Sequence, residues 1–526
     1  MKKMNNLNAL ALLILMASAI TATCATASAA IPLNYSYNDS DMTAIVTGSP
    51  SDYETVGSIL IPDTVVNPVN GEEYTVTAIE SKAFYNYRNL TSVTIPRTMK
   101  EIGDRVFDWK FGASMDTVIY NARNCKLPSS FELCPFDRIS AIKHVFIGNE
   151  VEVIPNFLFY GCEGITSIEL PSSVTSIEEG AFKNCSGLKS VTLGGSITAI
   201  GREAFYDCNS LTQIDIPNSV TSIGPCAFED CKSLTDIKIP DSVTEIGLGA
   251  FRWCESAASI IIGNGLKTIP EDCFFGCKAA TSLTIGNSVT EIGKQAFIYC
   301  DGLTSVEIPN PVKEIGENAF SGCKGLETVE MANSVITIGV HAFSACNKLT
   351  SVVIPNSVTT IGKGAFQECS NISSIVIPES LTSVSDGCFS KCENLAKVTL
   401  PKTIANIDGS AFSYCTGLLD FYLPVEDPED ITCGLNVFSQ VDLSKATLYV
   451  PEGCVSKYKN KRMRPWSNFG NIVEISESTG IDSISAADES EEPTELYDLS
   501  GRRVSNPTTG IYIRRSAGHA TKILIP

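Results

Sequence analysis

Apolar residues return at a fixed interval along most of this chain, and one slot of the pattern is always cysteine between residues 162 and 415. The interval is 23 residues, and a phenylalanine precedes each of these cysteines by three positions. The cysteines of this ladder are Cys162, Cys185, Cys208, Cys231, Cys254, Cys277, Cys300, Cys323, Cys346, Cys369, Cys392 and Cys415. A fixed period of about 20 to 29 residues over several hundred positions is typical of a solenoid, in which each repeat packs only on its neighbours. The pattern therefore predicts a continuous repeat solenoid.

Within one repeat, the spacing of the apolar residues predicts one short strand and two turns. In residues 288–310 (SVTEIGKQAFIYCDGLTSVEIPN), Val306 and Ile308 alternate with polar residues, which predicts a short strand that ends at Pro309. The earlier Ser-Val-Thr-x-Ile-Gly run predicts a bend at Gly293, because glycine adopts conformations that other residues avoid. The Ala-Phe-x-x-Cys run predicts a short buried helical or 3-10 turn. Stacking the repeats should then place the phenylalanines in an aromatic spine beside the cysteine row.

The repeat L-x-x-I-x-I-P-x-S-V-T-x-I-G-x-x-A-F-x-x-C resembles the Treponema-type leucine-rich repeat of the BspA-like surface proteins over residues 57–424. Local departures are Ala257 and Ala280 in the leucine slot, and Tyr87 and Lys110 in the cysteine slot. The resemblance implies a repeat solenoid of the leucine-rich-repeat type, curved and right-handed. It implies mainly parallel β-strands on the concave side, joined by short helical or 3-10 turns. It also implies a bacterial surface or secreted role, often in adhesion.

The two ends of the chain depart from the repeat. Residues 1–29 are similar to a secretory signal peptide, with Lys2 and Lys3 before an apolar stretch and a small-residue cleavage site. Cys24 leaves lipidation open as an alternative. The segments expected along the chain are a signal peptide at 1–29, an N-terminal cap at 30–56, repeats at 57–424 with an irregular insertion at about 111–150, a C-terminal cap at 425–475, an acidic flexible linker at 476–494 and a small β segment at 495–526. That last segment resembles the C-terminal sorting segments of secreted Bacteroidetes proteins, although it is shorter than complete sorting domains.

Charge narrows the classes of partner. The 526 residues carry a formal net charge of −20, so nucleic acid is not expected as a partner, because binding to phosphates needs clustered Lys and Arg. No segment beyond the leader is expected to span a membrane. An exported monomer is expected, either secreted or held at the cell surface with outer-membrane attachment left open.

The 20 cysteines of an exported chain raise the question of disulfides. Ladder cysteines point the same way in successive coils about 4.8 Å apart, which is a poor geometry for disulfides. They are therefore expected to be buried free thiols. The pairs that remain open as disulfides are Cys125 with Cys134 and Cys433 with Cys454. No zinc-type cysteine spacing occurs and only three histidines are present, so no metal or other cofactor is expected.

Catalysis is not expected either. His144, His341 and His519 are isolated, and the sequence has no Gly-x-Ser-x-Gly, HExxH or phosphate loop. Acidic pairs such as Glu178 with Glu179 lie on repeat turns, where solvated loop charges explain them better than a pair of catalytic carboxylates.

Polar positions of the predicted strands are the best candidates for a binding face. Two columns flank the apolar strand residues, and both line the concave side if the geometry of the resembling family holds. Small Ser and Thr side chains offer a low hydrogen-bonding floor, to which Glu307 and Glu330 add an acidic stripe. The alternative is that Ser and Thr are simply favourable exposed strand residues. The candidate partner-binding residues are Asp215, Asp236, Lys238, Ile261, Ser305, Glu307, Thr328, Glu330, Val353 and Val376.

Three function classes remain. The first is a non-enzymatic, adhesin-like protein that holds an extracellular protein or glycan, from a host or a neighbouring cell, on the solenoid face. The second is a structural envelope spacer. The third is an inhibitor or accessory of extracellular hydrolases.

Overall fold

We describe the chain from a computed structural model. The structure describes residues 31–51, 57–87, 89–107 and 114–475, together with the backbone of 495–497, 510–516 and 519–525. The expected signal peptide and acidic linker lie outside the described residues. Contacts divide the chain into two units, Met1–Ile475 and Ser476–Pro526.

The first unit is a solenoid of parallel strands, as the 23-residue period predicts. Each repeat contributes one strand of two to six residues, which we call the longer strand, and most repeats add a second strand of two residues, which we call the short strand. Equivalent strands pair in register within sheets of three to five strands, for example Ser305 with Thr328 and Glu314 with Thr337. The longer strands are Gly57–Leu60, Leu90–Ile95, Thr117–Tyr120, His144–Ile147, Ser167–Glu169, Ser190–Thr192, Gln213–Ile214, Asp236–Ile239, Ser259–Ile262, Ser282–Thr284, Ser305–Ile308, Thr328–Met331, Ser351–Val352, Ser374–Val376, Lys397–Thr399, Asp420–Tyr422, Thr447–Val450 and Asn471–Glu474. The short strands are Glu101–Ile102, Val153–Ile154, Ser176–Ile177, Ala199–Ile200, Ser222–Ile223, Glu245–Ile246, Thr268–Ile269, Glu291–Ile292, Glu314–Ile315, Thr337–Ile338, Thr360–Ile361, Ser383–Val384, Asn406–Ile407 and Thr432–Cys433.

A spine of stacked phenylalanines runs through the core of the solenoid. Sixteen rings from Phe84 to Phe438 stack in sequence, with centroids 5.1–5.9 Å apart and planes 2–16° from parallel. Hydrogen-bonded strands are closer together, at about 4.8 Å. The spine is therefore more widely spaced than the strands, which indicates that the strands lie on the inner side of the curve.

The cysteine ladder lies beside this spine as buried free thiols, in agreement with the sequence. Each thiol donates a hydrogen bond to the carbonyl oxygen of the phenylalanine in the preceding coil, as Cys300 does to Phe274 at 3.4 Å. The disulfides left open by the sequence are not formed, and Cys125, Cys134, Cys433 and Cys454 are free. Cys125 packs in the main core whereas Cys134 packs in a separate cluster with Phe157 and Tyr160, so the first pair is kept apart.

The Ala-Phe-x-x-Cys segments form turns rather than the helical turns expected from the sequence. From Phe159 to Phe438, the residues two before and two after each spine phenylalanine have left-handed backbones, for example Gln295 with φ 56° and Tyr299 with φ 59°. A left-handed residue interrupts a right-handed helix. Because left-handed and other residues alternate in these turns, every second N–H group points along the solenoid axis. The described helical segments are one α-turn, Val455–Tyr458, and the 3-10 turns Phe131–Leu133, Pro428–Asp430, Leu443–Lys445 and Trp466–Asn468.

These turns stack through backbone hydrogen bonds that we call the turn ladder. In each coil, three N–H groups donate to carbonyl oxygens of the next coil, as Gln295, Phe297 and Tyr299 do to Glu317, Ala319 and Ser321. From Phe157 to Tyr414 the ladder contains 36 such bonds of 2.7–3.1 Å, and all of them point toward the C-terminal end.

The coil in the expected insertion continues the stack. Phe136 stacks between Phe107 and Phe159, at 5.3 and 5.9 Å respectively. The interval from Phe107 to Phe136 is 29 residues, so the six extra residues lie in that one coil. Strands Thr117–Tyr120 and His144–Ile147 pair within one parallel sheet across the same region.

The two ends of the first unit are built differently. At the N-terminal end, strands Asn34–Asn38 and Thr43–Gly48 form an antiparallel hairpin, and Thr64–Val66 pairs with Glu73–Ile79. At the C-terminal end, Trp466 and Phe469 pack against Phe438 and Phe421. The second unit contains an antiparallel sheet of Glu495–Tyr497, Gly510–Ser516 and His519–Ile525.

Candidate functional site

The outward side chains of the longer strands form a continuous surface that we call the strand face. It has two columns, because residues alternate between core and solvent along each strand. The first outward residue of each strand belongs to what we call the outer column, and the residue two positions later belongs to the inner column. The outer column contains Ser and Thr in six successive coils: Ser259, Ser282, Ser305, Thr328, Ser351 and Ser374. The inner column contains larger and more varied residues. The strand face therefore combines a low hydroxyl row with a higher mixed row.

All ten candidate residues from the sequence are exposed; eight lie in the longer strands, and Asp215 and Val353 directly follow theirs. They are Asp215, Asp236, Lys238, Ile261, Ser305, Glu307, Thr328, Glu330, Val353 and Val376. In-register pairing places Lys238 beside Ile261, Glu307 beside Glu330, and Ser305 beside Thr328. The face is thus assembled from residues 23 positions apart, but whether it binds a partner is a prediction that its geometry does not test.

Glu307 and Glu330 form a pair of like charges at the centre of the inner column. Their strands pair in register, so the two side chains lie in adjacent coils on the same face. Neither carboxylate is in an ion pair with any residue in the described part of the chain. Like charges directly opposite one another destabilise a sheet. A basic partner would relieve this repulsion.

Two exposed valines follow the acidic pair along the inner column. Val353 is 68% exposed and Val376 is 52% exposed, although valine is usually buried. Farther along, Tyr422 and Tyr449 stack with centroids 4.2 Å apart, and the Lys397 ammonium lies 4.8 Å from the Tyr422 ring centroid. This stack covers Tyr422, so the accessible apolar surface is centred on the valines.

The strand face extends farther toward the N-terminus than the sequence suggested. Phe146, which is 45% exposed, pairs in register with Ile119, and Leu60 is exposed three strands before Phe146 in the same sheet. The sequence interpretation treated residues 111–150 as an irregular insertion, and therefore did not place them on the face. Their alternation in HVFI and TVIY was the available signal.

Trp253 and Tyr299 lie on the turn side, away from the strand face. The Trp253 indole packs over Gly276 of the next coil, where an added Cβ would lie 2.4 Å from its ring, and Tyr299 packs over Gly322 in the same way. Phe275 joins the two rings through edge contacts at 4.8 and 5.6 Å. Packing over an adjacent coil therefore explains both residues.

Burial works against ionisation of the ladder thiols, as Cys185 and Cys277 show. Burial raises the pKa of Cys185 and Cys277 to about 12, and a thiol must ionise before it attacks a substrate or binds a metal. Among the described residues, no group of three or more His, Cys, Asp and Glu side chains is placed to hold a metal ion. No helix in those residues is long and apolar enough to cross a bilayer.

A basic segment near the C-terminal end was missed in the sequence analysis. The run KYKNKRMR contains five basic side chains within eight residues, Lys457, Lys459, Lys461, Arg462 and Arg464. Lys457 pairs with Asp427 at 3.1 Å. The net charge of the whole chain is acidic and does not show this local excess of basic residues. Counting charges in short windows along the sequence would have found it.

Comparisons with known proteins identify the repeat. The family described as BspA type Leucine rich repeat region matches residues 69–134, 129–258, 221–350, 290–419 and 336–454. No curated protein matches the chain.

Solved structures give a similar result. A leucine-rich repeat protein from Bacteroides ovatus is 25% identical, with 75% of this chain and 93% of that chain covered and a TM-score of 0.54. A leucine rich cell surface protein from Faecalibacterium prausnitzii is 26% identical, with 70% and 93% covered and a TM-score of 0.41. A leucine rich repeat protein from Treponema pallidum is 23% identical, with 52% and 87% covered and a TM-score of 0.24.

Proposed function

The chain belongs to the BspA type leucine rich repeat family, and we propose that it is an exported, non-enzymatic bacterial binding protein. It holds an extracellular protein or glycan, from a host or a neighbouring cell, on its strand face. Its leader-like residues 1–29 support export. The C-terminal segment 495–526 is proposed to contribute to sorting.

The observation that carries this proposal is the exposure of apolar side chains on an otherwise hydrophilic face. Val353 and Val376 are exposed at equivalent positions of adjacent coils, and they follow the unpaired Glu307 and Glu330 along the inner column. Exposed apolar groups surrounded by polar residues are typical of interaction sites. Solvation alone explains the Ser and Thr row, but it does not explain the valines.

The size of the face fits a macromolecular partner. Eighteen longer strands spaced at about 4.8 Å give a face roughly 80 Å long. A standard protein interface needs about 800 Å² on each partner, so part of the face is sufficient. The ladder thiols are buried, which favours binding over covalent catalysis.

A steric block tests the face without assuming the chemistry of the partner. The double variant Ser305→Arg with Thr328→Arg places two large side chains among the small hydroxyl residues at the centre of the strand face. We expect capture of host extracellular material, or of surface extracts from neighbouring bacteria, to weaken at least tenfold in pull-downs with the full chain. The control is Thr337→Arg with Thr360→Arg, an in-register pair on the short strands that adds the same charge.

Equal losses in the two double variants would place the binding site away from the strand face. Failure of the unmodified protein to capture any material would instead favour a structural spacer. Inhibition of an extracellular hydrolase by the purified chain would favour the inhibitor class.

A further inference from the structure

We propose that the C-terminal end of the turn ladder is a separate binding site for an acidic peptide segment. The site consists of the backbone N–H groups of Asn436, Phe438 and Gln440 together with the guanidinium group of Arg464. It lies on the turn side of the last coil, whereas the strand face lies on the opposite side of the core.

The direction of the turn ladder presents backbone N–H groups at its C-terminal end. All 36 hydrogen bonds of the ladder have their N–H groups directed toward the C-terminal end. Peptide dipoles that align head to tail add together, as they do in an α-helix, and leave partial positive charge at the end that presents N–H groups. Three parallel chains of such bonds therefore end with three donors in one place.

The last coil has the same backbone conformation as the coils before it. Asn436 has φ 60° and Gln440 has φ 65°, which match the left-handed values found throughout the ladder. The preceding coil donates to it normally, with Phe412 N–H bonded to Val437 O at 3.0 Å and Tyr414 N–H bonded to Ser439 O at 2.8 Å. The N–H groups of Asn436, Phe438 and Gln440 consequently point beyond the ladder.

These three donors have no acceptor among the described residues. Backbone N–H groups in folded proteins are nearly always paired with protein, water or ligand. On the inner side of the solenoid, two more strands continue the stack beyond this coil, Thr447–Val450 and Asn471–Glu474. Among the described residues the turn ladder does not continue beyond this coil, and two of the three donor residues, Asn436 and Phe438, line a cavity.

The cavity has a volume of about 560 Å³ and is lined by both the last turn and the segment that follows the α-turn. Asn436, Phe438 and Ser439 form one part of its lining, while Arg464 and Asn468 form another. Val437 and Leu443 add apolar surface, and the neighbouring Leu435 is 84% exposed. A ligand in this cavity therefore meets backbone donors, a cation and apolar groups together.

The charge around the cavity agrees with an anionic ligand. Lys459, Lys461, Arg462 and Arg464 are exposed and form no ion pair within the described part of the chain. Such a cluster is notable in a protein with a net charge of −20. Of these four basic residues, Arg464 lines the cavity and supplies its cation.

A peptide fits this arrangement better than a sulfated sugar. In each coil from Phe157 to Tyr414, the row of three N–H groups is met by a row of peptide carbonyl oxygens from the next coil. A bound peptide supplies the same kind of acceptors, and an acidic side chain or terminal carboxylate adds charge for Arg464. Concave groups of backbone N–H donors are known to bind such anionic groups. The apolar lining provides contacts for uncharged side chains of the peptide.

The test uses the full chain and a fluorescein-labelled ten-residue peptide rich in glutamate and alanine, with binding measured by fluorescence anisotropy. We expect saturable binding that Arg464→Glu weakens at least tenfold. The matched control is Lys461→Glu, which makes the same charge change within the same basic run but does not line the cavity. It should weaken binding less than threefold.

Hydrogen exchange supplies a second readout that does not depend on a substitution. The peptide should slow exchange of the amides in residues 434–442 of the unmodified protein. If Arg464→Glu and Lys461→Glu reduced peptide affinity equally, or if exchange in that segment did not change, the peptide would be held by diffuse electrostatic attraction and not at this site. Absence of peptide binding would overturn the proposal outright. Tighter binding of a heparin-derived hexasaccharide, competing for the same amides, would overturn the peptide class in favour of a sulfated glycan.

Discussion

Each ladder cysteine fills the core and also donates a hydrogen bond from its thiol. The carbonyl oxygen of Phe274 accepts the backbone N–H of Cys277 at 3.3 Å and the thiol of Cys300 at 3.4 Å. Alanine in this slot would leave a gap, and valine would offer no donor. Cysteine therefore suits a narrow row in which each small apolar side chain also faces a backbone acceptor.

Buried thiols should make the protein resistant to labelling and sensitive to alkali. Burial raises the pKa of Cys185 and Cys277 from 9.0 to about 12. A pKa higher in the folded chain means that the stabilisation is complete below pH 9.0 and is lost as pH rises toward 12. We expect the free energy of unfolding, measured with urea, to fall over this range.

Labelling provides the direct measurement. A maleimide reagent at neutral pH should modify the half-buried Cys226 and Cys433 before any ladder cysteine, and denaturation should expose the remainder. Mass spectra that showed regular disulfides between adjacent coils would mean that the thiol ladder is wrong.

A coil is the structural element of this protein, and it is not stable alone. Its strands pair only with neighbouring coils, and its spine phenylalanine stacks on one ring above and one below, as Phe297 does on Phe274 and Phe320 at 5.2 and 5.1 Å. In such a solenoid, stability is shared mainly between nearest neighbours. Damage to one coil should therefore spread a short distance in both directions.

Phe297→Ala tests this locality. The substitution removes a fully buried ring, and we expect a local loss of about 3–5 kcal/mol because the cavity left behind collapses only partly. Amide exchange should quicken first within residues 274–320. A uniform loss of protection in all coils would contradict nearest-neighbour stability, and Ser305→Ala on the exposed face provides a control that should change little.

At the scale of the whole molecule, charge and apolar surface are distributed unevenly. The strand face carries the unpaired Glu307 and Glu330 beside two exposed valines, whereas basic side chains concentrate at the C-terminal end. The two surfaces lie on different sides of the core. A long solenoid can therefore offer two chemically distinct sites, because surfaces built from separate columns do not compete for the same residues.

Charge reversal on the strand face should weaken partner capture. Glu307→Lys with Glu330→Lys changes the sign of the acidic pair at exposed positions, so we expect binding to fall at least tenfold while the thermal midpoint changes little. Glu291→Lys with Glu314→Lys is the matched control, because these glutamates are also in register but lie on the short strands. Unchanged capture with the first pair would move the site to the turns or to the irregular coil.

The sequence by itself determined the architecture. The 23-residue period, the alternation in strands such as Val306 and Ile308, and the buried Phe and Cys slots were sufficient, because every repeat meets the same neighbours. It also identified the outward residues of the strand face. It did not determine the turns correctly, although many of the left-handed positions are Gly, Asn or Asp, such as Gly276 and Asn318, because others such as Gln295 and Tyr299 have side chains that seldom adopt this conformation.

Only the tertiary structure decided what happens where the repetition ends. Phe136 occupies the spine despite an interval of 29 residues from Phe107, because the core accepts a ring wherever the extra chain can loop outward. The three donors at Asn436, Phe438 and Gln440 are invisible in the sequence, since only their missing neighbour makes them available. A repeating sequence specifies contacts between equivalent coils, whereas the last coil has no equivalent to contact, and its surface depends on the three-dimensional path of the chain that follows.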